Sequence, residues 1–362
     1  MDVIQIDVAS ERATYPILIR ADALSQLPQW LRTRGFDQQL IVVTCPPVWR
    51  LYERRLRALS GKHPPVILPD GERAKTLATV IKIYDAMLKR HLDRSATLVA
   101  VGGGVVGDTA GFAAATYLRG IRLIQVPTTL LAQVDSSIGG KVGINLAAGK
   151  NLVGSFHPPA LVACDPDVLA TLPRREFRAG LYEIVKYGMI ASRSLFDELS
   201  INLTKVFAHD LGAVTPLIGQ SCRIKADVVT KDEREAGPRR VLNFGHTIGH
   251  ALEAATKYRR FLHGEAVAYG MLAAANISAR RGLLSTDDEE RLKELIGRLG
   301  PLPTVTDLSI SDLFPTMRRD KKISEGKLNF VLATGIGSTT IASDVTPREL
   351  KDGLRHIGLR RD

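Results

Sequence analysis

Cysteine is scarce: Cys45, Cys164 and Cys222 are the only three, and they show neither CxxC nor metal-ligand spacing. An odd, unpatterned set excludes a disulfide framework and predicts reduced, buried thiols. Long apolar runs are also missing. None approaches the ~18 residues that span a bilayer, and the opening "MDVIQIDVASERATYPILIR" alternates like a strand instead of forming a signal-peptide core. A cytoplasmic protein without membrane association is expected. Helix-turn-helix spacing, zinc-finger patterns and aromatic RNP motifs are absent as well, so the formal net charge of +11 does not imply a nucleic-acid partner. Much of that charge lies on amphipathic stretches such as "WRLYERRLRAL", which read as solvated faces. The remaining basic residues stand singly inside glycine-rich segments, and they point to an anionic small substrate.

At 362 residues the chain exceeds one compact core, so two domains are expected. In the first half, apolar runs such as "QLIVVTCPP", "SATLVAVGGG" and "IRLIQVPTTL" alternate with amphipathic helical stretches. That alternation predicts an α/β domain with a parallel sheet over 1–172, its ligands at the carboxyl ends of the strands. From about Pro173 helical periodicity dominates, predicting a mostly α-helical domain over 173–362.

Two segments carry chemistry. "LVAVGGGVVGDTAG" places Gly102, Gly104 and Gly107 in GxGxxG spacing after an apolar strand, where a pyrophosphate could approach the backbone. The acidic residue expected about 20 positions on is missing, but Asp70 and Glu72 of "PDGERAK", with Lys75, offer carboxylates from the preceding strand end. A dinucleotide site of unusual layout is expected. The second segment, "NFGHTIGHALEAATKYRRFLHGEAVAYG", holds three histidines. His246 and His250 are four apart, so both rings leave one helix face, whereas His263 would come from a neighbouring element. The spacing matches a zinc-protease helix, yet Thr247 stands where the catalytic Glu belongs. A three-ligand site completed by a carboxylate from elsewhere is the expectation.

Taken together, "DGERAK", "GGGVVGDTAGF", "VPTTLLAQVDSSIGGKVGIN", "GKNLVGSFHPP", "AGLYEIVKYG", "LNFGHTIGHA" and "HGEAVAYGM" resemble 3-dehydroquinate synthase, in order and over nearly the whole chain. The resemblance implies a Rossmann-like domain followed by a helical one, with the active site in the cleft between them. It implies conversion of 3-deoxy-D-arabino-heptulosonate 7-phosphate, a phosphorylated sugar acid, into 3-dehydroquinate and phosphate. The steps are transient oxidation by NAD, phosphate elimination, re-reduction and intramolecular aldol closure. A divalent metal, Zn2+ or Co2+, and a homodimer are implied as well.

Matched by motif, the metal ligands fall on Glu183, His246 and His263, which leaves His250 for substrate. Positions around NAD are Asp70, Gly71, Glu72, Lys75, Gly104, Val105, Val106, Gly107, Asp108, Thr128, Thr129, Asp135, Lys141, Lys150, Leu169 and Thr171. Arg119, Lys141, Asn151 and Lys321 or Lys322 match phosphate contacts, with Arg119 serving a partner subunit. Lys186, Lys225, Arg239, Asn243, His250 and His263 match substrate contacts, and Lys141, Lys186, Lys225, Arg239, Asn243 and His250 catalytic positions. Tyr182 departs from the family, which has a small residue before the metal Glu; adjacent helical residues diverge by ~100°, so Tyr182 should point away from the ion. The alternatives are another sugar-phosphate cyclase, or a metal-dependent alcohol or glycerol dehydrogenase of the same architecture.

Overall fold

In the computed structural model, residues 2–11, 13–235, 237–318, 323–324 and 327–360 are described. Lys321 and Lys322 lie outside the described residues. The chain divides into two compact units, 1–173 with 209–234, and 174–208 with 235–362.

In the first unit, β1 (Ile4–Ala9) and β2 (Thr14–Ile19) form an antiparallel hairpin closed by Ser10 N–H donating to the Ala13 carbonyl at 3.0 Å. Then α1 (Ala23–Thr33), β3 (Leu40–Thr44), α2 (Pro46–Ser60), β4 (Val66–Ile67), α3 (Leu77–Lys89), β5 (Thr97–Gly102), α4 (Gly104–Thr116) and β6 (Arg122–Pro127) alternate. An antiparallel ribbon of β7 (Lys141–Leu146) and β8 (Gly149–Phe156) precedes β9 (Leu161–Cys164).

The main sheet runs β1-β2-β9-β6-β5-β3-β4 and is parallel except at β1. The exception follows from the short hairpin, since a parallel pair needs a long crossover. β5 is buried along its whole length, as a central parallel strand covered on both faces must be. Strand order reverses between β3 and β5, and the crevice at such a reversal lies outside the carboxyl ends of the strands, where the glycine loop starts.

The chain next forms α5 (Arg174–Ala191) and α6 (Arg193–Phe207) of the second unit, and then α7 (Leu211–Lys231) returns to the first. A single boundary near residue 172 would assign α7 to the helical domain. Its apolar stripe instead covers the first unit: Cys222 Sγ donates to the Gln133 carbonyl at 3.3 Å, and Lys225 reaches Asp135. Helical periodicity shows that a stripe is buried but not which core buries it. All three cysteines are free and buried.

The second unit continues with α8 (His246–Ala255), α9 (His263–Arg280), α10 (Thr286–Leu299) and α11 (Ile310–Arg318). The two-residue strands β10 (Ile323–Ser324) and β11 (Lys327–Leu328), the hairpin of β12 (Phe330–Gly335) with β13 (Ser338–Ala342), and α12 (Pro347–His356) complete it. Two glycines let α9 pack at backbone distance. A Cβ on Gly264 would lie 2.0 Å from the Ala179 carbonyl of α5, and one on Gly270 would lie 1.8 Å from the Gly245 carbonyl. Only glycine permits that approach, and it draws α5, α8 and α9 together around their polar side chains. Among the described residues no helix is long and apolar enough to cross a membrane.

Candidate active site

In the first unit the glycine loop joins β5 to α4. Gly103 caps α4 without a side-chain partner for its first N–H groups, which leaves them available to an anion. A Cβ on Gly107 would sit 2.8 Å from Gln125 Oε1, so this glycine serves close packing of helix on strand. A Cβ on Gly104 would sit 3.0 Å from Ser136 Oγ. Val105 stands on the first turn of α4, while Val106 and Leu169 are core residues, 3% and 1% exposed. Thr128 N–H donates to the Gly102 carbonyl at 3.0 Å, and Thr129 Oγ1 accepts from Ala132 N–H at 3.2 Å.

A polar network lies alongside. Buried Lys75 donates to Asp108 Oδ2 and Asn151 Oδ1, both at 2.5 Å. Asn145, which the sequence did not single out, donates to Glu72 Oε1 at 2.7 Å and accepts from Asn151 N–H at 2.9 Å. Lys150 Nζ lies 3.8 Å from the same Glu72 oxygen. Burial pushes the Asp108 carboxyl above its usual range, with Lys75 pulling the other way. Asp70 and Gly71, with Gly71 at φ 83°, lead into the single turn that carries Glu72.

Thr171 Oγ1 meets Tyr52 Oη at 2.7 Å, a second partner missed in the sequence. Lys225 Nζ donates to both the backbone and side-chain oxygens of Asp135 at 2.6 Å. Lys141 is exposed at the start of β7, and Arg119 is exposed at φ 68°, next to Leu118 at φ 49°.

In the second unit α5 presents Glu183 and Lys186, buried side chains one turn apart that form an ion pair. Lys186 Nζ contacts Glu183 Oε2, whereas Glu183 Oε1 has no hydrogen-bond partner among the described residues. Glu183 Oε1 stands 3.9 Å from His246 Nε2 and 3.7 Å from His263 Nε2. The opposite ring nitrogens are occupied: His246 Nδ1 faces the Phe244 carbonyl at 3.1 Å, and His263 Nδ1 faces Glu253 Oε2 at 3.2 Å. Acceptors at both Nδ1 positions select the tautomer with its proton there, assigned from these partners. Two Nε2 lone pairs therefore converge on a carboxylate oxygen, an all-acceptor cluster that fits a divalent cation with nitrogen and oxygen preference.

His250 belongs to the same cluster, its ring 5.4 Å from His246 and 5.8 Å from His263. Candidate ligand atoms of the three histidines lie within 4.8 Å of one another. Buried Arg239 and half-buried Asn243 share a six-residue helical segment, Pro238–Asn243, and Asn243 donates to Glu235 Oε1 at 2.5 Å. Tyr182, buried beside Glu183 in sequence, turns its hydroxyl to the Gly300 carbonyl at 3.4 Å.

Comparison with known proteins shows the family. The family description "3-dehydroquinate synthase N-terminal" matches residues 65–179, and its C-terminal counterpart matches residues 180–323. The chain belongs to the 3-dehydroquinate synthase family. A 3-dehydroquinate synthase of Nostoc punctiforme is 46% identical over 94% of this chain and 96% of its own length. Among solved structures, a 2-epi-5-epi-valiolone synthase from Streptomyces hygroscopicus with NAD+ and Zn2+ bound superimposes with a TM-score of 0.86 at 29% identity, covering 96% of this chain and 98% of that one. A 2-deoxy-scyllo-inosose synthase complexed with carbaglucose-6-phosphate, NAD+ and Co2+ gives 0.85 at 30% identity, covering 97% and 99%. The architecture expected from the sequence, a parallel α/β part and a helical part, is that of these cyclases.

Proposed function

We propose that this chain is a 3-dehydroquinate synthase that turns 3-deoxy-D-arabino-heptulosonate 7-phosphate into 3-dehydroquinate and phosphate, using NAD and a divalent ion. The observation that carries the reading is the Glu183, His246 and His263 donor set, with the buried Lys186 ammonium paired to Glu183. Identity supports this cyclase over its relatives: 46% to a named 3-dehydroquinate synthase, against 29% and 30% to the valiolone and inosose enzymes. A homodimer in the cytoplasm completes the reading.

When bound, NAD supplies reversible hydride transfer, and the ion draws electron density from the oxygens it grips. Glu183, His246 and His263 would hold the ion, and Lys186 offsets the Glu183 charge beside it. The α4 N-terminus would take the pyrophosphate, while Asp70, Glu72, Lys75 and Asp108 would hold the nucleotide riboses. Arg239 and Asn243, the latter braced by Glu235, suit the substrate carboxylate. Lys141, Asn151 and Arg119 suit the phosphate. In this reading the departing phosphate's own oxygen takes the proton, so cations rather than a strong side-chain base surround it. His250 offers a ring nitrogen to a substrate hydroxyl, and Lys225, anchored on Asp135, offers a second positive charge. Holding the intermediates in one site prevents their loss and wrong ring closure.

The test is phosphate release from the heptulosonate phosphate with catalytic NAD, with and without chelator. Release of phosphate and 3-dehydroquinate without net NADH, abolished by chelator, is the expected outcome. NADH accumulating in step with substrate loss would point to a dehydrogenase instead.

A further inference from the structure

Glu253 is a buried carboxylate, 3% exposed, to which neither the family motifs nor the reading above gives a task. It sits in the last turn of α8, where the helix dipole disfavours negative charge. Its backbone carbonyl already helps to close the helix by accepting from Tyr258 N–H at 2.7 Å. The charge of the side chain is opposed by the helix dipole there. Its carboxylate reaches His263 Nδ1, at 3.2 Å. The two histidines are thus held by different means, His246 by the neutral Phe244 carbonyl and His263 by a buried carboxylate.

We propose that Glu253 is a positioning residue of the metal centre, fixing the His263 ring with Nε2 directed at Glu183 and making His263 the stronger nitrogen donor of the pair. This role rests on the metal-centre reading above. The chemistry is general: a carboxylate behind a ligating imidazole orients the ring, sets its tautomer and increases electron donation to the ion. A carboxylate kept in a buried position needs a compensating partner. A dication held by His263 supplies one, through the ring that Glu253 touches.

The experiment compares wild type with Glu253→Gln and Glu253→Ala. Three readouts are used: Zn2+ affinity by competition with a chromophoric chelator, the visible spectrum of the Co2+-loaded protein, and Tm of the metal-free protein. Gln keeps the shape and an acceptor but removes the charge, so Zn2+ affinity should fall about tenfold; Ala should lose about a hundredfold. The Co2+ band should shift in both, and the metal-free Gln variant should melt within about 2 °C of wild type, since a surplus charge at a helix end has been removed. A structural role would give the reverse, a lower Tm with unchanged affinity. If the Ala variant fails to fold, the Gln variant carries the measurement. Wild-type affinity in Glu253→Gln overturns the role alone, whereas a wild-type protein that retains no Zn2+ removes the metal centre and the role with it.

Discussion

In the first unit Lys75 already meets two acceptors at 2.5 Å, and Glu72, Asn145 and Asn151 close the network around it. In the second unit Glu183 Oε2 is paired with Lys186, but the buried Oε1, which faces two imidazoles, has no hydrogen-bond partner among the described residues. Buried polar groups are normally satisfied, and an orphaned one signals something missing. The contrast separates two kinds of preparation. A site for an organic cofactor can hold its shape by bonding its own side chains to one another, then exchange some of those bonds for the ligand. A candidate metal site can do so only in part, because the atoms that would meet the ion are acceptors: Lys186, the Phe244 carbonyl and Glu253 hold the side chains from behind, and Glu183 Oε1 stays open to a cation.

The largest expected effect tests the second half of that contrast. Glu183→Ala, His246→Ala and His263→Ala should each strip the ion on dialysis and lower turnover on the order of a thousandfold, because an open site replaces a protein bond. His250→Ala should keep close to one metal equivalent per chain while losing turnover, since its proposed work is on substrate. Metal analysis of the dialysed variants decides. A metal-free His250→Ala beside a metal-loaded Glu183→Ala would make the three-histidine set, whose donor atoms also lie within 4.8 Å, the true chelate.

A smaller effect tests the first half. Lys75→Met keeps the stem but removes the charge that bridges Asp108 and Asn151. A charge-assisted contact is worth about 1.5–3 kcal/mol, so NAD affinity should fall about tenfold to a hundredfold. Stability should drop by about 2 kcal/mol, because Asp108 loses its ion-pair partner. Metal content should not change. NAD titration, thermal melts and metal analysis on one preparation would show it. A loss of metal here would mean that the two regions are not separable.

Residues that act through sequence spacing were legible, and residues that act through tertiary contact were not. The i, i+4 pair His246 and His250 announces a shared helix face, and a glycine cluster after an apolar strand announces a close backbone approach. Naming Glu183 as a candidate ligand needed the family resemblance, because nothing local ties it to helices that begin at His246 and His263. Glu253 stood in the same quoted stretch as the histidines, seven residues past His246, and still carried no signal. Its meaning lies in reaching back to a ring on the next helix. Asn145, Tyr52 and Glu235 were missed for the same reason. α7 was read correctly as a helix, but its allegiance to the first unit depends on what covers Cys222 and Lys225, which periodicity cannot tell.

The smallest expected effect separates charges that serve a site from charges that only hold the fold. In the second unit Glu349 caps α12 and accepts from Arg281 at 2.6 and 2.9 Å, with Asp344 on the same guanidinium. The Arg281 guanidinium holds the Glu349 carboxyl at about 2, well below its ordinary value. A carboxyl depressed in the folded state adds stability that is fully present above the unfolded-state pKa, near 4.3, and is lost as pH falls toward 2. The group is 29% exposed, so solvent screening cuts the contribution to about 1 kcal/mol. Glu349→Gln should therefore lower Tm by about 3 °C at pH 7, and the gap should narrow as pH drops below about 4.5, where wild type loses the same interaction. Neither Zn2+ affinity nor turnover at pH 7 should change. A variant that loses metal affinity along with Tm would show that the α12 ion pair supports the cluster as well as the fold.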